Sequence, residues 1–215
     1  MQPLSHITEA DLARLRDKVE KQMGARRFAH TLAVEEEAAK IAKLYLPQNI
    51  AEISAAALLH DVTKEYATAE QIALCERYGL PVSDEELASP KILHAKTAAA
   101  VIKDAYADFA REEIVDAVAK HTTGAGQMSL LAKILYLADY TEKTRTFPDC
   151  VRLREYFWAA RPDTMTEQER LVHLDKTLLL SFEMTLADLV REGRPIASDT
   201  RAAHAALSLK YDPKN

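Results

Sequence analysis

The chain has 215 residues, of which only 5 are Gly and 8 are Pro, about half the usual ~12% for the two together. So few turn-formers exclude an all-β protein with a turn every dozen residues, and 48% apolar with 28% charged residues excludes a disordered chain. A net charge of −5 gives no general drive toward a nucleic acid polymer, although it is compatible with a local basic pocket for a phosphate ester.

Cys75 and Cys150 are the two cysteines and neither sits in a CxxC pair, which speaks against a disulfide framework or a zinc ribbon. The N-terminus, MQPLSHITEADLARL, has no basic region leading into an apolar stretch. No run approaches the ~18 apolar residues of a membrane span. A soluble cytoplasmic protein without membrane contact is expected. The length fits one domain with added terminal pieces, and the expected division is 1–24, 25–197 and 198–215.

Taken in order, the chain reads as helices. Leu12, Leu15, Val19 and Met23 recur in steps of 3 and 4 within 8–25, one helical face. A second helix, 27–46, carries Ala33, Val34, Ala38 and Ile41 and is closed by Pro47. Asn49 can cap a third, rich in alanine and leucine. Thr68-Ala69-Glu70-Gln71 is a capping-box pattern whose helix Gly79 and Pro81 end, and Ser83 to Glu86 repeats the pattern for a short segment. Two more helices are expected over 94–108 and 111–121. Thr122-Thr123-Gly124-Ala125-Gly126 reads as a loop, after which Ser129 caps an apolar helix over 130–142. Thr166-Glu167-Gln168-Glu169 opens a long helix that Gly193 and Pro195 terminate, and a last helix spans 199–211. No strand is expected.

Two apolar runs end in groups that are expensive to bury. One is Ala55-Ala56-Ala57-Leu58-Leu59-His60-Asp61 and the other Ile134-Leu135-Tyr136-Leu137-Ala138-Asp139. A carboxylate in a low-dielectric interior takes up a proton or is paired, and metal coordination is one form of pairing. A lone His-Asp pair is weak, since chance supplies roughly 0.5 such pairs in a chain of this composition. On its own it also reads as two helix caps.

The order His30, His60-Asp61, His94, His121, Asp139 on successive helices resembles the HD-domain metal-dependent phosphohydrolases. The resemblance implies an all-α fold, an HD-domain helical bundle with additional N- and C-terminal helices. It also implies that His30, His60, Asp61 and Asp139 hold a metal, and that His94 and His121 hold a second ion or contact phosphate. Arg27-Phe28-Ala29-His30-Thr31, Leu58 to Lys64, His121-Thr122-Thr123-Gly124, Ala138-Asp139-Tyr140 and Arg145-Thr146-Phe147-Pro148 resemble the YqeK-like branch more narrowly. That branch contains symmetrical bis(5'-nucleosyl)-tetraphosphatases, and the likeness runs over roughly residues 25–200. Ala95-Lys96 after His94 and Glu142-Lys143-Thr144-Arg145 depart from its pattern.

The implied activity is symmetrical cleavage of diadenosine tetraphosphate into two ADP by metal-activated water. Imidazole and carboxylate ligands suit borderline ions; iron is expected first, with Mn, Co, Zn or Mg as alternatives, as one or two ions. A bound ion lowers the pKa of its water from about 15.7 toward 7. Asp61 is placed to bridge a second ion or orient that water, and His94 and His121 join it as catalytic candidates. Arg27 and Arg145 are candidate phosphate clamps, with Lys64 and Tyr140 as further substrate contacts. The expected partner is a dinucleoside polyphosphate, with a homodimer possible. A nucleotide phosphatase or pyrophosphatase of other specificity and a catalytically inactive nucleotide-binding regulator are the competing readings. His6, His173 and His204 are expected in surface or core roles, Glu35-Glu36-Glu37 as a solvated helix face, and Phe157 and Trp158 as packing.

Overall fold

The computed structural model describes residues 6–211. Among them there are eleven α-helices and no strand. The helices are α1 (Glu9–Glu20), α2 (Ala25–Tyr45), α3 (Ile50–Leu59), α4 (Thr68–Arg77), α5 (Asp84–Ala88), α6 (Leu93–Ala105), α7 (Glu112–Lys120), α8 (Leu130–Thr141), α9 (Pro148–Ala159), α10 (Glu167–Arg191) and α11 (Ser198–Tyr211).

The core is built around α3, whose Ile53 and Ala55 to Leu59 are all buried. A helix apolar all round has to be enclosed on every side, and α1, α2, α7 and α8 all pack on it. Each fully buried Leu or Ile adds roughly 1.5–3 kcal/mol relative to exposure. The small residues Ala55, Ala56 and Ala57 let neighbouring backbones come close. α6 leans on α7, while α9 and α10 cover α8. α1 is no appendage: Leu12, Leu15 and Val19 enter the same core, and Arg16 reaches Glu35 on α2 through two hydrogen bonds, at 2.6 and 3.0 Å.

That contact corrects the reading of Glu35-Glu36-Glu37 as a solvated face. Glu35 is buried against Arg16, Glu37 accepts a hydrogen bond from the Trp158 indole at 2.7 Å, and only Glu36 is fully exposed. Two caps also differ. Glu70 accepts the Ala67 N–H, so Thr68 is the first helical residue and not the cap. The expected helix 94–108 ends at Ala105, where a short 3-10 turn, Ala107–Phe109, takes over.

α9 is a helix that the sequence reading did not anticipate. It has no side-chain cap to announce it and starts instead with Pro148 in its first turn, where the missing N–H costs nothing. Cys150, Leu153 and Phe157 form its buried stripe.

α11 is fastened at both ends. Glu85 accepts the Ser198 N–H at 2.9 Å and pairs with Arg201. Asp175 on α10 gathers Lys210, Tyr211 and Lys133 of α8 at 2.6–2.8 Å. Between these ties Ala203 and Phe182 press on Gly124, whose φ of +68° and lack of a side chain are both required there: a Cβ would lie 2.6 Å from the Phe182 ring and 3.0 Å from Ala203.

Candidate metal centre

α3 stops at Leu59, and His60 and Asp61 begin a tight turn in which the Lys64 N–H returns to the Asp61 carbonyl at 2.9 Å. A buried polar knot fixes this turn against α6. The Thr63 hydroxyl donates to the His94 carbonyl at 3.0 Å and lies 2.8 Å from the Thr97 hydroxyl. Gln71 of α4 joins Thr97 and the Thr63 carbonyl. His60, Asp61 and His94 are thereby held side by side. α2 brings His30, the end of α7 brings His121, and the last turn of α8 brings Asp139.

Four imidazoles surround Asp61 in a common manner. His60, His94 and His121 each donate from Nδ1 to the backbone carbonyl three residues earlier, Ala57, Lys91 and Val118, at 2.6, 2.6 and 2.7 Å. His30 Nδ1 donates to Glu142 Oε1 at 3.1 Å. A carbonyl only accepts, so the neutral tautomer leaves the Nε2 lone pair facing inward. The Nε2 atoms of His30 and His60 are buried and make no hydrogen bond among the described residues.

The two oxygens of Asp61 divide the cluster. Oδ2 lies 3.3 Å from His60 Nε2 and 3.8 Å from His30 Nε2, and Asp139 Oδ1 closes that side at 3.1 Å from His30 Nε2. Oδ1 lies 3.2 Å from His94 Nε2 and 3.7 Å from His121 Nε2, and these two imidazole nitrogens are 3.0 Å apart. One ligand atom from each of His30, His60 and Asp139, and likewise from each of His60, Asp61 and His121, falls within 4.8 Å of its partners. Orphaned inward lone pairs beside carboxylate oxygens fit a borderline divalent cation. The buried Glu142 behind His30 is the usual orienting carboxylate of such a ligand.

Protonation differs from side to side. Burial disfavours charge on His30, but the carboxylates of Asp139 beside Nε2 and Glu142 behind Nδ1 outweigh it and push it up to about 9. Burial dominates at His94, pushed down to about 4, and also lowers His121. Burial alone would raise Asp61 and Asp139. The imidazoles around Asp61, and Arg145 with His30 beside Asp139, hold both carboxyls well below their usual range.

A cleft of about 570 Å³ opens onto His30, lined among others by Arg26, Arg27, Glu142, Arg145 and Phe147. Arg27 pairs with Asp61 at 2.7 Å and Arg145 with Asp139 at 2.5 Å. These guanidiniums, read from sequence as phosphate clamps, therefore also neutralise Asp61 and Asp139. The Lys64 ammonium donates to His94 Nε2 at 3.1 Å, and the Thr122 hydroxyl lies 3.0 Å from Nε2 of both His94 and His121. Tyr140 is not brought to the cluster: its ring stacks on Tyr136 and its hydroxyl meets Thr185 of α10 at 3.2 Å. Helical geometry explains this, since the residue after Asp139 is rotated about 100° from it. His173 is buried against Phe157 and hydrogen-bonded to its carbonyl at 3.0 Å, a packing role.

Two residues of the site went unnoticed in the sequence. Glu142 is one helical turn beyond Asp139, and that i, i+3 spacing at the end of an apolar helix was the available signal. Arg154 on α9 donates to the carbonyls of Thr141, Glu142 and Arg145 at 3.3, 2.7 and 3.3 Å. It closes the turn that carries Arg145, and nothing in its local sequence marks it.

Comparison with known proteins identifies relatives over most of the chain. The family model described as HD domain matches residues 27–144. A symmetrical bis(5'-nucleosyl)-tetraphosphatase of Halalkalibacterium halodurans is 31% identical over 193 residues, covering 89% of this chain and 94% of that protein. The Bacillus subtilis protein of the same description is 29% identical over 183 residues, 85% and 89% of the two chains. A crystal structure from Clostridium acetobutylicum, described as a predicted HD superfamily hydrolase involved in NAD metabolism, superposes with a TM-score of 0.78 at 27% identity, covering 95% of this chain and 100% of that one.

Proposed function

The chain belongs to the HD-domain family, and from that premise we propose how its residues divide the work of a symmetrical bis(5'-nucleosyl)-tetraphosphatase. The enzyme is a metal-dependent hydrolase that splits diadenosine tetraphosphate into two ADP. The observation that carries the assignment of residues is the division of Asp61, with one oxygen toward each pair of inward-facing imidazoles.

His30, His60, Asp61 and Asp139 would hold the principal ion, for which iron is the expected metal. When bound, such an ion supplies an acidified water nucleophile and polarises the phosphoryl oxygens. Asp61 Oδ1, His94 Nε2 and His121 Nε2 lie 3.0–3.7 Å from one another and would hold a second cation. The Lys64 ammonium donates to His94 Nε2. A second reading, in which His94 and His121 serve a phosphate, is favoured by the donors Lys64 and Thr122 beside them.

The protein's own groups do the rest. Asp61 orients the attacking water. Arg27 and Arg145, which line the cleft, meet the negative charge that develops on the polyphosphate. A nucleoside diphosphate leaves as an anion at neutral pH, since phosphate loses its second proton near pH 6. Departure therefore depends on cationic stabilisation more than on a proton. His94, neutral at pH 7, suits the role of acceptor and not of acid.

The test pairs product analysis with elemental analysis of protein purified without added metal or chelator. ADP as sole product with two equivalents of ion supports the full reading. AMP plus ATP would overturn the symmetrical cleavage. One equivalent of ion would move His94 and His121 to phosphate. Sedimentation of the same sample measures whether a homodimer forms.

A further inference from the structure

The mouth of the cleft carries a large apolar side chain that neither the core nor the metal centre uses. Phe147 is 64% exposed and lines the cavity into which His30, Arg27 and Arg145 also face. Its position is set by the backbone. It precedes Pro148, which restricts it to extended geometry, and it has φ −61° and ψ 138° as the N-cap of α9. The turn before it is closed by the three carbonyl bonds of Arg154. An aromatic ring is thus presented to water on a fixed support, a few residues from a guanidinium that faces the metal ligands.

Arg26 lines the same mouth and makes no ion pair among the described residues. Glu65, which lines the same cavity, accepts the Gly24 N–H at 2.7 Å. A ligand that matches such a surface has a flat apolar face joined to an anionic chain. We propose that Phe147 is the stacking platform for one nucleobase of the substrate, with Arg26 meeting the phosphates between that base and the metal centre. This rests on the reading of the chain as a dinucleoside tetraphosphatase. Stacking on an aromatic ring tolerates any base, because each offers a π-face, so the platform confers preference for nucleotides over bare polyphosphate without choosing adenine over guanine.

Phe147→Ala and Phe147→Trp test it. Phe147→Ala is expected to raise KM for diadenosine tetraphosphate about tenfold or more, with kcat within about twofold, and to raise KM for the diguanosine compound equally. Phe147→Trp is expected to keep KM near that of the unsubstituted enzyme. Its added indole fluorescence is quenched by ADP and left unchanged by inorganic pyrophosphate, a binding readout independent of turnover. An unchanged KM in Phe147→Ala, or equal quenching by the two ligands, overturns the platform. Conversion of a dimer to a monomer by Phe147→Ala with KM unchanged overturns it in favour of an interface between copies. Failure of the parent reading shows separately, as no ADP from the unsubstituted enzyme, and the quenching experiment still decides the role of Phe147.

Discussion

The two sides of Asp61 use the same residue types and reach opposite electrical states. On the side of His30 and Asp139, charge is plentiful: His30 is pushed up to about 9, and Arg145 pairs with Asp139. Toward His94 and His121, burial wins, and both imidazoles are lowered. The difference lies in the carboxylates around each ring: His30 has Asp139 beside Nε2 and Glu142 behind Nδ1. A buried carboxylate, Glu142, stabilises positive charge on His30, whereas backbone carbonyls orient His60, His94 and His121 without any full negative charge. Partner chemistry, more than residue identity, sets whether a histidine meets an incoming cation carrying a proton or ready as a ligand.

The comparison breaks most sharply at the atom pair shared by both sides. Asp61→Asn should lower turnover on the order of 1,000-fold or more, with helical content by circular dichroism unchanged. Retention of a tenth of the activity would mean that the sides work independently. One side at a time, Asp139→Ala should lose the principal ion and turnover together. His121→Ala should keep that ion, lose the second and slow turnover about 100-fold. Elemental analysis separates these outcomes, and an unaltered ion count in His121→Ala would assign that side to phosphate.

Smaller effects sharpen the electrical contrast. Glu142→Gln keeps the shape behind His30 but removes its charge, so metal affinity should fall about 10–100-fold, read by competition with a chelator. The metal-free protein should also feel the two sides in opposite pH windows. The raised His30 contributes stability that is full below about 6.5 and is lost as pH rises through about 9. The lowered His94 costs stability as pH falls from about 6.5 toward about 4, because the unfolded chain takes up a proton that the folded chain refuses. Melting temperatures in chelator at pH 5, 6.5 and 8.5 check both limbs, and His30→Gln should flatten only the alkaline one.

Much of this was legible in the sequence because the informative residues break a pattern. Asp61 and Asp139 end apolar helices and so announce a need for partners, and the histidines lie at helix ends or on the face turned inward. The chain order of six such residues carried the family resemblance that implied the cluster. What remained hidden was relational. Glu142 looked like an ordinary helix-end acid until its packing behind His30 was seen. Tyr140 adjoined a ligand in sequence but faces another helix. α9 escaped because its start relies on proline and not on a capping side chain, and Glu35 reads as solvated until α1 lays Arg16 over it.

The way α11 is moored has a practical corollary. The link before it, residues 192–197, is surface chain, open to a protease of broad specificity. Its far face bears on Gly124, two residues from the hydroxyl shared by His94 and His121. Brief proteolysis would thus cut the covalent leash of a wedge that backs the histidine loop while sparing every ligand to the ion. The nicked enzyme would separate two virtues usually measured as one, the capacity to keep its metal and the capacity to use it.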